Sequence, residues 1–314
     1  MKSIIFRTLV LCSALALVLP GAAASAATGS FEQSFQSDGA IQLDVKTDSG
    51  TIAIQSSDSG RIEVIGKIRT NNRSFFGMFT SSDSDAQEII DLLEQNPPIS
   101  FAGGVLTVGH IEDKAVRRRV SISYEILVPV ETAVKSHTGS GAQSISNVKG
   151  PVVASTGSGR VTLADIGSSA DVRTGSGAIK ADNIAGAFKA HSGSGSVSMT
   201  QTAPGDVVVT TGSGASHLHG IVGALKVKTG SGRVVVDGQQ QGDWRIDTGS
   251  GSITVDLPDD ASFSLDAETG SGGIDIDHPL TVQGKISKKH IRGDVRGGGD
   301  LLHIDAGSGG IRVK

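Results

Sequence analysis

Thr156-Gly157-Ser158-Gly159-Arg160-Val161-Thr162-Leu163 returns eighteen residues later as Thr174-Gly175-Ser176-Gly177-Ala178-Ile179-Lys180-Ala181. The same TGSG tetrapeptide begins at Thr138, Thr211, Thr229, Thr248 and Thr269, and variants begin at Ser192 (SGSG) and Ala306 (AGSG). The first glycines stand at 139, 157, 175, 193, 212, 230, 249, 270 and 307, so the spacings are 18, 18, 18, 19, 18, 19, 21 and 37. A period near 18 held over nine copies means that one short unit is stacked on itself as a solenoid. The 37-residue interval reads as two turns, one of them with a degenerate motif.

Apolar residues alternate on both sides of the tetrapeptide. Val207 and Val209, Leu225 and Val227, Trp244 and Ile246, and Leu302 and Ile304 precede it, while Val161 and Leu163, Val234 and Val236, Ile253 and Val255, and Ile274 and Ile276 follow it. A period of two describes strands with one buried face. The two alternations are out of phase: counting in twos from Ile246 reaches Ser252, yet the next apolar residues are Ile253 and Val255. The chain must bend within Gly-Ser-Gly, and glycine allows φ > 0 there. The predicted fold is therefore all-β, a parallel β-solenoid with two strands and a glycine corner in each turn of about 18 residues. The right-handed form is expected, because the six-residue aliphatic subperiod of left-handed hexapeptide helices is missing. Threonine before the corner and serine within it would stack into hydroxyl columns that serve the backbone groups of the bend.

Composition agrees with this architecture. Glycine supplies 43 of 314 residues, whereas only 19% of the chain is charged, too little for a disordered tail. Glycine does not recur at every third position, as collagen requires. Residues 1–26 open with Lys2 and Arg7, continue through the apolar run from Leu9 to Leu19 and end in Ala24-Ser25-Ala26, the pattern of a secretory signal peptide cleaved after Ala26. Cys12, the only cysteine, lies in that run, so the mature chain has no disulfide and no thiol nucleophile. No later stretch approaches the ~20 apolar residues of a transmembrane helix. Removing the leader leaves 26 Lys and Arg against 32 Asp and Glu, an acidic balance that argues against nucleic acid as a partner. A periplasmic, secreted or cell-surface protein is expected.

Residues 27–130 read as an irregular N-terminal β region and 131–314 as the repeat solenoid. Within the former, Lys46-Thr47-Asp48-Ser49-Gly50-Thr51-Ile52-Ala53-Ile54 resembles a worn copy of the repeat. Ile89, Ile90, Leu92 and Leu93, ahead of Pro97-Pro98, predict a short helix over 83–95 on an insertion or cap. Phe75-Phe76-Gly77-Met78-Phe79 is expected to tuck beneath it.

The strand 120–128 with Pro129, the T-G-S-G-x-I-x-V units, and the ending Ile291-x-Gly293-x-Val295-x-Gly297-Gly298-Gly299-x-x-Leu302-x-Ile304-x-x-Gly307-Ser308-Gly309 together resemble a known family. It is the family of bacterial β-strand repeat proteins proposed to be adhesins, domain of unknown function 4097. The resemblance covers roughly residues 40–314 and implies a β-solenoid of the cell envelope or of the secreted fraction. It brings no catalytic motif.

Candidate chemistry lies at outward positions. Counted from the second glycine, Asp237, Asp256 and Asp277 fall at the fifth position of what read as consecutive turns, with His219 one turn earlier and Asp182 two turns before that. Such a column is either a solvated acidic edge or a cation-assisted binding surface, although calcium wants six to eight oxygens. His217, His219 and Asp237 together could in principle ligate zinc. No cofactor is otherwise expected. Asp275 and Asp277 point outwards ~7 Å apart, so a polysaccharide-acting hydrolase or lyase is the competing reading. Exposed aromatics to grip a sugar are missing, since Trp244 and Tyr124 occupy inward positions. Arg292-Gly293-Asp294 belongs to the glycine-rich ending, and Arg117-Arg118-Arg119 reads as a solvated strand entrance. No GxGxxG opens a helix after a strand. The expected function is a non-catalytic, adhesin-like or structural module of the envelope, binding a repetitive glycan or protein partner. Self-association through the solenoid ends is a further possibility.

Overall fold

A computed structural model describes residues 27–37, 39–70, 83–282 and 287–314. The signal-peptide segment 1–26 and the phenylalanine-rich stretch 75–79 lie outside the described residues. The chain starts with β1 (Thr28–Gln36), β2 (Gln42–Thr47), β3 (Ile52–Ser57) and β4 (Arg61–Thr70). Helix α1 (Asp83–Gln95), strands β5 (Ile99–Ala102) and β6 (Val105–Val108), helix α2 (Lys114–Arg119) and β7 (Val120–Pro129) follow. The repeats then form β8 (Ala133–Thr138), β9 (Gln143–Ser146), β10 (Val152–Thr156), β11 (Val161–Ile166), β12 (Ala170–Thr174), β13 (Ile179–Ile184), β14 (Phe188–Ser192), β15 (Val197–Gln201) and β16 (Val207–Ser213). Two long strands come next, β17 (Ser216–Ser231) and β18 (Val234–Ser250). The chain finishes with β19 (Ile253–Asp256), β20 (Phe263–Ser271), β21 (Ile274–Ile276), β22 (Leu280–Val282), β23 (His290–Val295), β24 (Leu301–Ser308) and β25 (Ile311–Val313).

Strands that precede the tetrapeptide stack in parallel as a first wall, β2–β8–β10–β12–β14–β16, continued by the later halves of β17 and β18. Strands that follow it stack as a second wall, β3–β9–β11–β13–β15, continued by the earlier halves of β17 and β18. Register is one to one: Thr138, Thr156 and Thr174 align, as do Val161, Ile179 and Val197. Each turn is closed by a short third side that period-two alternation does not reveal. Its inward residues Val148, Ile166, Ile184 and Ile221 are fully buried. The residues before the first three, Asn147, Asp165 and Asn183, hold φ of 59, 55 and 59°, a left-handed conformation that Asn and Asp tolerate better than other side chains. Trp244, Tyr124, Phe188 and Phe263 fill the interior, and the Trp244 indole N–H donates to the Gly223 carbonyl at 2.9 Å.

The corner explains the tetrapeptide. Thr156 Oγ1 accepts from the Gly159 N–H at 3.0 Å and donates to the Gly141 carbonyl of the preceding turn at 3.1 Å. Thr174 and Ser192 repeat both bonds, so the column before the corner serves the backbone as expected, whereas the serines within the motif, such as Ser158 and Ser176, are exposed and their hydroxyls hold no backbone group. The glycines answer a different need from the one anticipated. From Gly139 to Gly232 no motif glycine has φ in the left-handed range. A Cβ on Gly159 would instead lie 1.7 Å from the Gly141 carbonyl oxygen, because backbone stacks directly on backbone there. Only in later turns, at Gly251, Gly272 and Gly309, does the motif take φ of 154, 155 and 148°.

At the first end, β2 and β3 form a turn stacked on β8 and β9, as the worn repeat predicts. Beyond β3 lie β7 in parallel, then β4 and β1 in antiparallel arrangement. Helix α1 covers β1: Ile90 is buried, and Glu94 accepts the Ser30 N–H at 2.7 Å. The triple arginine forms the last turn of α2, whose N-terminus Asp113 caps, and leads directly into β7.

The far end departs from sequence order. β20 and β21 do not stack on β18 and β19. The last two strands, β24 and β25, lie between them, parallel to both neighbours. The 37-residue interval is therefore no pair of turns: it holds β22 and β23, an antiparallel pair of which β23 also closes over β20. Spacing along the chain measures separation, whereas position in the stack is set by which exposed ladder a strand completes.

Candidate functional site

Outward positions of the second wall bear most of the residues singled out above. His217 and His219 leave one face of β17, with Leu218 buried between them. Asp237 sits one turn on; its carboxylate accepts the Gly220 N–H at 3.0 Å and lies 2.6 Å from His219 Nδ1. His217 does not join them, because its neighbours on the adjoining strands are Ser198 and Val235, which offer no ligand in that position. Among the described residues no three His, Cys, Asp or Glu are placed to hold a metal ion. Asp182 is held by Lys180 at 2.7 Å.

Asp237 and Asp256 are in register on neighbouring turns. Asp277 does not follow them. The Lys314 N–H donates to the Val255 carbonyl, the Leu257 N–H to the Lys314 carbonyl, and the Asp277 N–H to the Val313 carbonyl. Lys314 thus stands between Asp256 and Asp277, and Arg312 stands between Thr254 and Asp275. The Arg312 guanidinium donates twice to Asp275 Oδ2, at 3.0 and 2.6 Å. The column expected to be continuous is interrupted by a basic strand, which relieves the repulsion that stacked carboxylates would suffer. Asp275, half of the hypothetical acid/base pair, is committed to an ion pair.

The first wall presents two outward columns of another character. The one next to the threonines is basic from Lys46 through His137, Arg173 and His191 to Lys228, and turns acidic at Asp247, Asp305 and Glu268. The other carries Lys189, Lys226 and Arg245 before reaching His303 and Asp266. At Asp266 the wall ends in a clamp: Arg292 Nη2 and His290 Nε2 lie 2.6 and 2.8 Å from its oxygens, with His303 at 3.6 Å. Partial burial alone would raise the Asp266 pKa. The hydrogen bonds from Arg292 and His290, with the charges of Arg292 and His303, outweigh it and hold the carboxyl below its ordinary value. Arg292 and Asp294 of the RGD tripeptide are both engaged within the sheet, the latter accepting from Ser264 at 2.7 Å. A cavity of about 190 Å³ at the opposite end is lined by Lys46, His110, Arg117 and Tyr124. There Arg117 faces Asp48 at 3.1 Å, and burial pushes the Tyr124 phenol well above its usual range.

The family model of Toastrack DUF4097 matches residues 43–314. The chain belongs to the Toastrack family. The Toastrack match begins within β2 and takes in both walls, the clamp and the strands that close the far end. No curated protein matches it. Among solved structures it is similar to a proposed cell adhesion protein from Clostridium sporogenes ATCC 15579, at 13% identity and a TM-score of 0.22, over 92% of this chain and 99% of that one. It is also similar to a proposed lipid binding protein from Parabacteroides distasonis ATCC 8503, at 12% identity and TM-score 0.33, over 91% and 96%. A proposed adhesin from Bacteroides fragilis NCTC 9343 matches at 9% identity and TM-score 0.28, over 91% and 97%. No helix among the described residues of this Toastrack chain is long and apolar enough to cross a membrane.

Proposed function

We propose that this Toastrack protein is an exported, non-catalytic module of the cell envelope that acts as an adhesin or a structural spacer. The observation that carries the reading is the register of the two walls, which stacks outward, mostly polar side chains into columns at ~4.8 Å intervals. A surface of that kind meets a repetitive partner through many weak contacts, and avidity supplies what each contact lacks. Export rests on the leader-like segment 1–26, and the location is the periplasm or the cell surface. Asp237 and Asp256 extend the polar surface on the second wall. Binding of a cation such as calcium to them is the part of the reading a chelator tests.

The experiment is co-sedimentation of residues 27–314 with isolated envelope fractions, with and without chelator. Saturable retention is expected, and its absence in both conditions rejects the proposal. Asn replacement of Asp256, Asp275 and Asp277 is expected to leave no lost turnover on soluble polysaccharides. Any cleavage abolished by it would favour the hydrolase.

A further inference from the structure

On the first wall, the turns built by β12, β14, β16, β17 and β18 carry Arg173, Lys189, Lys226, Lys228 and Arg245 beside Asp171 and Asp247, while Asp206 and Asp243, next to Val207 and Trp244, accept the Ala224 and Leu301 N–H groups. Arg173 is bound to Asp171 and Arg245 to Asp247, which leaves Lys189, Lys226 and Lys228 with neither an ion pair nor a hydrogen bond. They stand exposed on a chain that is acidic overall. The cations are also arranged. β16 contributes Val208 and Thr210, short side chains that make a low floor. Lys189 and His191 border this floor on one side, Lys226 and Lys228 on the other. The two borders are two strand spacings apart, ~10 Å, and the lysines of one border are ~7 Å apart along the strand. The second wall is different over the same turns: its outward residues are mainly Ser198, Thr200, His217 and Val235, and Lys180 is neutralised by Asp182. Over these turns the unpaired lysines thus lie on one flat side of the solenoid.

We infer that the trough over β16, bordered by Lys189 and His191 and by Lys226 and Lys228, binds an acidic polysaccharide lying along the strand. This deepens the proposed function, on which it rests, by giving the repetitive partner its charge and chemical class. A single glycan chain bearing carboxylates at regular intervals fits a strip ~10 Å wide with cations on both margins. Bases would need aromatic platforms, and this wall exposes none. A lipid surface would need protruding apolar side chains, and the floor has only the half-buried Val208.

The probe is polygalacturonate, with dextran as the uncharged control, titrated onto the mature chain. Binding to polygalacturonate and not dextran is expected, weakening as salt shortens the screening length from ~10 Å at 0.1 M to ~3 Å at 1 M. The triple variant Lys189→Gln, Lys226→Gln, Lys228→Gln should bind at least about tenfold more weakly. Replacing Lys114, Lys149 and Lys288 by Gln removes the same charge elsewhere and should leave binding within about twofold. Equal losses in the two triples would reduce the effect to net charge and overturn the inference. Tighter binding to duplex DNA or anionic vesicles through the same lysines would overturn the choice of a glycan. If the first triple variant still co-sediments with envelope fractions as the parent does, this inference fails while the proposed function stands. If neither protein is retained, the proposed function fails as well.

Discussion

At the residue scale, the corner glycines and threonines do more than mark a bend. Gly159→Ala places a Cβ 1.7 Å from a backbone oxygen that cannot move without disturbing the turn below, so a loss of about 2–4 kcal/mol is expected. Gly273 has open space around it and no left-handed φ, and Gly273→Ala should be nearly neutral. Urea unfolding of both variants checks the contrast; equal midpoints would refute the stacking argument. Thr174→Val strands the Gly177 N–H and the Gly159 carbonyl, both buried bonds of about 3 Å, and should cost about 2–3 kcal/mol, while Thr174→Ser should recover most of it. The sequence made the hydroxyl role legible, because one polar residue recurs where the strand pattern demands an inward side chain. It did not make the reason for glycine legible. Contact between neighbouring turns is not a local property, whereas φ > 0 is the local explanation that glycine invites.

At the element scale, the ends and the third side carry the differences between expectation and structure. Helix α1 was readable from its apolar spacing, and its task follows from where it lies. With Ile90 buried over Gly29 and Glu94 capping Ser30, it shields the outermost strand β1 from pairing with another chain. Ile90→Ala should cost about 2–4 kcal/mol and speed amide exchange along β1 more than in the central turns, as hydrogen-exchange mass spectrometry would reveal. The third side was hidden because it is too short for alternation, although Asn147-Val148, Asp165-Ile166 and Asn183-Ile184 recur at the repeat spacing and could have betrayed it. The clamp at Asp266 joins three strands that are distant in sequence, so no motif announced it. Its folded-state pKa is lowered, hence its contribution exists above the unfolded carboxyl pKa of ~3.9 and disappears as pH falls through the lower, folded value. Asp266→Asn should therefore unfold more readily than the parent near neutrality, and the gap between their melting temperatures should close in acid. A gap that stays constant with pH would show that the clamp works by shape alone.

At the scale of the whole molecule, stability is close to a sum over turns and their contacts, as for other solenoids. Nearly all of those contacts join turns adjacent in sequence, and for that reason the periodicity disclosed the architecture from Thr138 onward. The exception is the placement of β24 and β25. Deleting residues 301–314 removes an internal layer, so β20 to β23 should lose exchange protection while β8 to β15 keep it. Uniform loss across the chain would contradict a stack of semi-independent layers. The acidic column failed for the same reason: Asp256 and Asp277 are successive in motif order but are separated in space by the strand that bears Arg312 and Lys314. The basic trough, by contrast, lies where motif order and stacking order coincide. Its lysines are legible from the repeat itself, because Lys189 and Lys226 occupy equivalent outward positions two turns apart.

The insertion of β24 and β25 also sets an order of events during synthesis. Trp244 meets Leu302 across fifty-eight residues, whereas the earlier turns join partners about eighteen apart. Most layers can zip up as they leave the ribosome, each on the template of its predecessor. The ladder on the later half of β18, from Trp244 to Ser250, has no partner on that side until residues 302–308 have emerged. A chain arrested before that point would display an open parallel edge beside a cap that has nothing to close upon. Such an edge is a ready template for pairing with a strand of another chain, a hazard that the finished protein no longer presents there.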